Sequence, residues 1–371
     1  MVERPAQPVI ARRYSRHLLI PEVGLEGQQR LSSARILCVG AGGLGSPVLL
    51  YLAAAGLGRI GVVDDDLVDE TNLQRQTLFV TGDIGRSKAA VAAERLAAMN
   101  PHVAIDAFPI RLNADNARDL VRPYDVVVDC TDRFLSRYHI NDACVLEGKP
   151  DVYGSLFRFE GQVSVFNANG GPCYRCLYPT PPPADTVPTC AEGGVLGVLA
   201  GIVGAFQANE ALKAILQIGD PLSGRLLLID ALEGSTREVR FARDAACALC
   251  GRRTITDVAD IHIEEAPASS VPEIEPDGLK AAMTSATLLD VREPHEAVLG
   301  ILPSSVHMPA SQLQSRMHEL DTANTYIVAC RLGQQSRWAV RCLHDAGFRR
   351  LLHLRGGLLG YAAHDAGLAI F

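Results

Sequence analysis

No stretch of this sequence is apolar for long enough to cross a bilayer. The longest nearly apolar run, residues 193–206, falls short of the ~20 residues a spanning helix needs and is interrupted by Gly194, Gly197, Gly201 and Gly204. That spacing predicts a buried helix packed closely on a neighbour, and no membrane partner. An excess of basic residues is also missing. The 35 Lys and Arg against 42 Asp and Glu leave a net charge of −7, which argues against a general nucleic-acid binder. The first twenty residues hold no apolar core of the kind that directs export, so a cytoplasmic protein is expected. With export set aside, ten cysteines point toward metal or catalytic chemistry more than toward a disulfide framework. At 371 residues and 48% hydrophobic, the chain has material for the cores of two or three domains.

What is present is organised around residues 35–76. A short apolar run over 36–39 predicts a buried parallel strand. Gly40-Ala41-Gly42-Gly43-Leu44-Gly45 follows and reads as the glycine-rich turn that opens a nucleotide-binding helix. Glycines let a phosphate approach the backbone N–H groups at that helix's N-terminus. An apolar helix is expected over about 44–55 and a second strand over 60–63, ending in Asp64. An acid about twenty residues past the glycines stands where a ribose hydroxyl is held. Alone, this pattern indicates an adenine nucleotide, with NAD the first candidate.

The following residues bear on that choice. Asn72, Arg75 and Gln76 arrive together just outside the carboxyl end of the second strand, where ligands of α/β sheets bind. Lys88 stands in the first turn of a helix expected over 86–99, where the dipole ordinarily favours acids. It is either a surface residue or a group that neutralises phosphate. A strand over 125–129 runs into Cys130-Thr131-Asp132-Arg133. Asp132 suits the N-cap of a helix over 134–146, a ligand for Mg²⁺, or both.

The pattern changes after residue 150. Residues 157–166 alternate around Gly161 as a hairpin does. Strands follow over 226–229 and 237–241, and an apolar helix over 195–214 is expected to pack on them. The fold class is therefore α/β: a Rossmann-like nucleotide-binding domain whose mixed sheet carries an antiparallel extension, plus a small α/β domain at the C-terminal end.

Two C-x-x-C pairs, Cys173/Cys176 and Cys247/Cys250, suit a closed tetrahedral Zn²⁺ shell with a structural role. The redox alternative needs one pair at a strand-to-helix junction of a thioredoxin-like unit, which neither has. Cys190 lies in a proline-rich, exposed loop, where a thiol is either tolerated or used. Cys38, Cys130, Cys144 and Cys342 fall in expected strands or helices and are assigned to core packing.

Residues 254–275 are acidic and rich in Pro and Ser, as a linker is. The compact α/β unit beyond contains a strand over 326–329 that runs into Cys330-Arg331-Leu332-Gly333-Gln334-Gln335-Ser336, with a helix through about 346. A helix dipole and loop N–H groups favour the thiolate of a cysteine so placed, and the same cradle holds a persulfide anion. A cysteine-dependent phosphatase would need arginine six residues after the cysteine. Ser336 stands there and Arg337 is one place late, so sulfur transfer is the better reading.

Together these motifs resemble a known family over nearly the whole chain. Residues 12–253, through RYSRH, GAGGLG, the acidic loop with NLQRQ, Lys88, DCTD and the CYRC/CALC pairs, resemble the MoeB/ThiF-type enzymes that adenylylate ubiquitin-like sulfur-carrier proteins. Residues 276–371, with CRLGQQS, look like a rhodanese domain. The order is similar to the fused adenylyltransferase–sulfurtransferases of molybdopterin synthesis and tRNA thiolation. The resemblance implies an adenylyltransferase domain over 1–253 with structural zinc, a linker over 254–275 and a rhodanese-like domain over 276–371.

It also implies ATP in place of NAD, held by Gly43, Asp64 and Asn72, with Arg75 and Lys88 on the phosphates and Asp132 on Mg²⁺. Arg16 is implied to reach across a two-fold interface into a partner's active site, hence a homodimer. Cys190 is implied to form an acyl or resolving linkage and Cys330 to carry the persulfide. The implied substrate is a MoaD/ThiS-like carrier ending in Gly-Gly, with sulfur from a cysteine desulfurase or thiosulfate, in molybdopterin- or thiamine-type or related sulfur-metabolite biosynthesis.

Two other readings stand beside this one. An NAD-dependent oxidoreductase with an appended regulatory domain leaves NLQRQ, Lys88 and the cysteine loop without a use. A carrier-binding scaffold with an inert rhodanese predicts the loss of Cys330 or Asp132, and both are present. Three positions depart from the family. Arg133 stands where Asn is usual, Gly300-Ile301-Leu302-Pro303 replaces Gly-His-Ile-Pro, and the chain stops at Phe371 without the usual aromatic-and-proline tail. The last two bear on rhodanese efficiency and leave its fold expected.

Overall fold

A computed structural model describes residues 12–181, 194–259, 272–298 and 300–363. They fall into two compact units, the first running to residue 259 and the second beginning at 272. Cys190 lies outside the described residues.

In the first unit eight strands make one sheet: β1 Arg35–Val39, β2 Arg59–Val63, β3 Ala104–Phe108, β4 Val126–Asp129, β5 Asp151–Phe157, β6 Glu160–Phe166, β7 Arg225–Asp230 and β8 Ser235–Arg240. Their order is β3-β2-β1-β4-β5-β6-β7-β8. Pairing is parallel from β3 to β5 and antiparallel from β5 to β8. The central strands are continuous runs of Ile, Leu and Val because helices cover both faces. Ile36, Leu37, Ile60, Val62, Val127 and Val128 are all buried. β1 is flanked by β2 and β4, so the strand order reverses there and the carboxyl ends open a crevice. That crevice lies where the glycine-rich turn leaves β1.

The expected elements are present, with informative shifts. The hairpin between β5 and β6 turns at Arg158 and Phe159, not at Gly161, and Arg158 takes φ +53°. Gly161 lies within β6, where a Cβ would stand 2.4 Å from Val203. Its lack of a side chain serves helix packing, not the turn. That helix is Gly197–Leu216, two residues later than expected. At 20 residues it is long and apolar enough by composition to cross a membrane, unlike the shorter apolar run in the sequence. It lies on the sheet with Leu199, Ala200, Val203 and Gln207 buried, and is the core helix that the glycine spacing predicts. Cys38, Cys130 and Cys144 are core residues, whereas Cys342 is only half-buried.

The second unit is a wholly parallel sheet of β9 Glu273–Ile274, β10 Thr287–Asp290, β11 Val306–His307, β12 Tyr326–Ala329 and β13 Leu351–Leu354. The order is β11-β10-β12-β13-β9. Apolar clusters lie around Leu289, Val328 and Leu343 and around Leu288, Ile327 and Leu354. The alternation of these residues along β10 and β12 puts one cluster on each face of the sheet.

Candidate active sites at two strand ends

Gly40 leaves β1 at φ +97°, and its N–H donates to the Val63 carbonyl at 2.8 Å. A Cβ there would lie 2.7 Å from the Cys130 carbonyl oxygen, so the turn closes onto the end of β4 and admits only glycine. The helix Gly45–Ala55 starts immediately after. A Cβ at Gly43 would meet Ala200 at 3.3 Å and the stem of Arg75 at 3.5 Å, so the glycine loop and Arg75 adjoin. Asp64 accepts the Ala41 N–H at 2.7 Å and the Asp66 N–H at 2.9 Å, tying β2 to the glycine turn. Burial raises the Asp64 pKa, while Lys88 and the two N–H donors oppose that rise.

Lys88 is the first residue of the helix Lys88–Met99, capped by Ser87, whose Oγ accepts the Ala90 N–H. It is only 5% exposed, which removes the surface-residue reading. Its ammonium donates to Asp66 Oδ2 at 3.0 Å. Asn72 ends a short 3₁₀ turn, Glu70–Asn72, capped by Asp69. Asn72 Oδ1 and Gln76 Oε1 are buried and have no hydrogen-bond partner among the described residues. A buried acceptor left unpaired costs about 1–3 kcal/mol, so both fit groups whose partner is a ligand's hydroxyl or amine. Gln76 stands with Asn72 and Arg75 in the sequence reading, but the family resemblance assigns it no role. Its amide lies beside Gly42, and its one signal in the sequence is its place in NLQRQ. Arg75 meanwhile rests on the Thr71 carbonyl at 3.0 Å.

Asp132 is exposed and does not cap a helix. The helix Phe134–Leu146 has Arg133 at its N-cap with no side-chain cap bond, so the capping alternative is corrected. Asp64, Asp65 and Asp66 bring one oxygen each within 4.8 Å of one another, and Asp132 is not in that group. The Arg133 guanidinium reaches to 3.9 Å from Asp66, so the departing residue sits on the same acidic loop. Arg16 lies exposed on the helix Ser15–Leu18. That segment is anchored by buried Tyr14, whose hydroxyl accepts from Asn100 at 2.8 Å.

The four paired cysteines converge. Cys173 Sγ lies 3.9 Å from Cys176 Sγ and 3.7 Å from Cys247 Sγ, and Cys176 Sγ lies 3.3 Å from Cys250 Sγ. A tetrahedron with Zn–S bonds of ~2.3 Å has S···S edges of about 3.8 Å, so the set fits the ion. Burial and the three neighbouring thiols push Cys173 well up, as expected where a cation is needed to hold thiolates together.

In the second unit Cys330 follows β12 and is buried. Gly333, at φ +96°, is the N-cap of the helix Gln334–Asp345. That left-handed conformation curls the loop so that the Gly333 N–H faces Cys330 Sγ at 3.1 Å. Ser336 Oγ stands 3.4 Å from the same sulfur. The Gly300–Pro303 segment, which departs from the rhodanese pattern, stays tied to the strand ends: the Gly300 carbonyl accepts from Arg292 at 2.8 Å, and Arg292 is paired with Asp290 in a buried bridge.

This pairing of a glycine-loop nucleotide site with a cysteine cradle defines a two-domain class. A model of the ThiF family matches residues 14–249, and a model of the rhodanese-like domain matches residues 275–364. The chain belongs to the ThiF family, with a rhodanese-like domain following. It is 43% identical over 366 residues to a Mycobacterium tuberculosis protein named "Probable adenylyltransferase/sulfurtransferase MoeZ", covering 94% of this chain and 92% of that one. It is 41% identical to the Bos taurus adenylyltransferase and sulfurtransferase MOCS3, covering 95% and 85%. Over 244 residues it is 54% identical to the Thermus thermophilus sulfur carrier protein adenylyltransferase, covering 64% of this chain and 90% of that one. Among solved structures, Escherichia coli MccB shares the fold with a TM-score of 0.58 at 22% identity, covering 65% of this chain and 74% of that one.

Proposed function

We propose that this chain uses ATP to adenylylate the C-terminal glycine of a ubiquitin-like sulfur carrier, then exchanges the adenylate for sulfur carried on Cys330. It is thus an adenylyltransferase and a sulfurtransferase. The observation that carries the first activity is buried Lys88, an ammonium held at the glycine-loop strand ends by one half-exposed carboxylate, Asp66, that a phosphate can displace.

A carboxylate is a poor electrophile. In the first step an oxygen of the carrier's Gly-Gly carboxylate attacks the α-phosphorus of ATP. Pyrophosphate leaves, and the acyl carbon gains AMP as a good leaving group. Lys88 and Arg75 bind the phosphate charge that shifts during this step. Gly43 and the helix N-terminus orient the phosphates, and Asp64, Asn72 and Gln76 hold the nucleoside. Such positioning and charge supply most of the acceleration. Asp132 would hold Mg²⁺, which would supply positive charge against the phosphates. Asp66, which pairs with Lys88 at 3.0 Å, gives up that contact to phosphate.

In the second step a persulfide donor or thiosulfate gives Cys330 its outer sulfur, and a thiol or sulfite leaves. The persulfide anion attacks the acyl carbon and AMP leaves, forming an acyl disulfide. Cys190 thiolate attacks the Cys330-side sulfur and releases the carrier thiocarboxylate. A Cys190–Cys330 disulfide remains, and an external thiol reduces it. The pathway is of the molybdopterin or thiamine type, in the cytoplasm, where thiols stay reduced.

Zn²⁺ in the Cys173, Cys176, Cys247, Cys250 set is structural. Residues 1–253, 254–275 and 276–371 are the proposed domains, in line with the extents of the two family matches. The working form is a homodimer in which Arg16 completes the partner's site. Val198, Ile202 and Phe206, spaced four apart along Gly197–Leu216, are exposed and form an apolar stripe suited to a second copy. The test of the reading is ATP–pyrophosphate exchange with candidate carriers. Exchange is expected with a carrier ending in Gly-Gly and not with the same carrier lacking its last glycine. Exchange with neither removes the adenylyltransferase reading.

A further inference from the structure

Cys330 belongs to a hydrogen-bonded array built from four elements of the second unit. Ser336, fully buried, lies with Oγ 3.4 Å from Cys330 Sγ and 3.0 Å from the Gly333 carbonyl oxygen. His353, on β13 and 3% exposed, places Nε2 2.8 Å from that carbonyl and 3.0 Å from Ser336 Oγ. Its Nδ1 is 3.3 Å from Glu273 Oε1 on β9. Glu273 in turn meets Arg337 at 3.3 Å and Arg355 at 3.9 Å. Among the described residues, Glu273, Arg337 and Arg355 are the charged groups close to the ring, besides the sulfur itself.

Donor and acceptor chemistry fixes the roles. A carbonyl only accepts, so the 2.8 Å contact requires a proton on His353 Nε2. The Gly333 carbonyl thus has two prospective donors, the ring N–H and the Ser336 hydroxyl. When Cys330 is a thiol, its S–H points to Ser336 Oγ and the hydroxyl proton goes to the carbonyl. When the sulfur is an anion, the hydroxyl proton turns to the sulfur and joins the Gly333 N–H there. The buried carbonyl is not orphaned by that turn, because His353 still donates to it. Burial favours the neutral ring, Arg337 adds to that effect, and Glu273 and the Gly333 carbonyl oppose it. A neutral ring protonated at Nε2 suffices for that bond; its Nδ1 then carries a lone pair and makes no hydrogen bond to the Glu273 carboxylate, which only accepts.

We propose that Ser336 and His353 are positioning residues for the anionic sulfur of Cys330: the His353 N–H occupies the Gly333 carbonyl and so leaves the Ser336 hydroxyl to the thiolate or persulfide. The place in the loop that a phosphatase gives to arginine here supplies a neutral donor, which suits an anion of one charge on sulfur. The proposal rests on Cys330 as the sulfur carrier, but its test does not use sulfur transfer.

The experiment is the rate of iodoacetamide alkylation of Cys330 in the full chain, resolved by peptide mass spectrometry, from pH 6 to pH 10. The single tryptophan, Trp338, lies on the helix that carries Ser336, and its fluorescence reports that the unit is folded. Ser336→Ala is expected to slow alkylation about tenfold at pH 7, a hydrogen bond to an anion being worth about 1.5–3 kcal/mol. The loss should vanish at the alkaline end, where the thiol ionises without help. Ser336→Thr should restore the rate at pH 7. His353→Leu should reproduce the Ser336→Ala profile, and His353→Gln, which keeps an N–H donor near the Nε2 position, should lie close to the parent. An equal loss at all pH values would mean packing alone and overturn the proposal, as would an unchanged profile in Ser336→Ala. If Ser336→Ala does not fold, the His353→Leu and His353→Gln pair decides by the same criteria. The expected profiles combined with thiocarboxylate formation in Cys330→Ala would instead refute the sulfur-carrier role and leave the array standing.

Discussion

At the end of β1 the chain turns through Gly40 into one helix, and at the end of β12 it turns through Cys330 and Gly333 into another. The two ends differ in what they leave unpaired. Around the glycine loop, Asn72 Oδ1 and Gln76 Oε1 are buried without partners among the described residues, and Lys88 is held by Asp66, a half-exposed acid. Around the cysteine, Gly333, Ser336 and His353 already pair with one another. A site that must admit a large polyanion keeps its hydrogen bonds open and its cation on a displaceable partner. A site that must steady one sulfur atom brings its donors with it.

Three perturbations would sharpen or break this contrast, the largest first. Lys88→Ala removes a cation from the open site and should lower carrier-dependent pyrophosphate exchange by about 10²–10³-fold. Sulfur transfer from thiosulfate to cyanide through Cys330 should stay at the parent rate. A parallel fall in both activities would show that the two sites are not separate in function.

Cys173→Ser tests the framework behind the open site. It should abolish zinc content by elemental analysis and cost about 3 kcal/mol or more of the first unit's stability in urea. A metal-free variant as stable as the parent would remove the structural zinc. The smallest effect concerns the closed site. Burial lowers the pKa of His353, so its neutral form is favoured in the folded chain. Stability of the second unit should be full above pH ~6.5, the unfolded value. It should decline as the pH falls through that value toward the folded one, by at most about 1.4 kcal/mol per pH unit. Trp338 fluorescence in urea reads this directly, and His353→Gln should flatten the slope.

Much of this was legible in the sequence because it depends on local pattern. The glycine turn follows a run of β-formers, the helix Phe134–Leu146 falls where it was expected, after the strand end and Asp132, and two C-x-x-C pairs have few uses. What was not legible depends on long-range approach. Gly161 reads as a turn residue until Val203, forty positions on, is seen to press against it. Asp132 reads equally as a cap or a ligand until the cap position proves to be Arg133. Gln76 stands out in the sequence only as a neighbour of Asn72 and Arg75, and its unpaired buried oxygen is what gives it a role. His353 has no local motif at all. It becomes part of the cysteine site because β13 pairs with β12 in parallel, which brings its ring to the loop that follows β12.

The most direct test of the account measures both half-reactions on one variant. With a carrier ending in Gly-Gly, Cys330→Ala should support ATP–pyrophosphate exchange at the parent rate and form no carrier thiocarboxylate by mass spectrometry. Thiocarboxylate at the parent yield, or exchange lost along with it in a folded variant, would contradict the division of labour between the two strand ends.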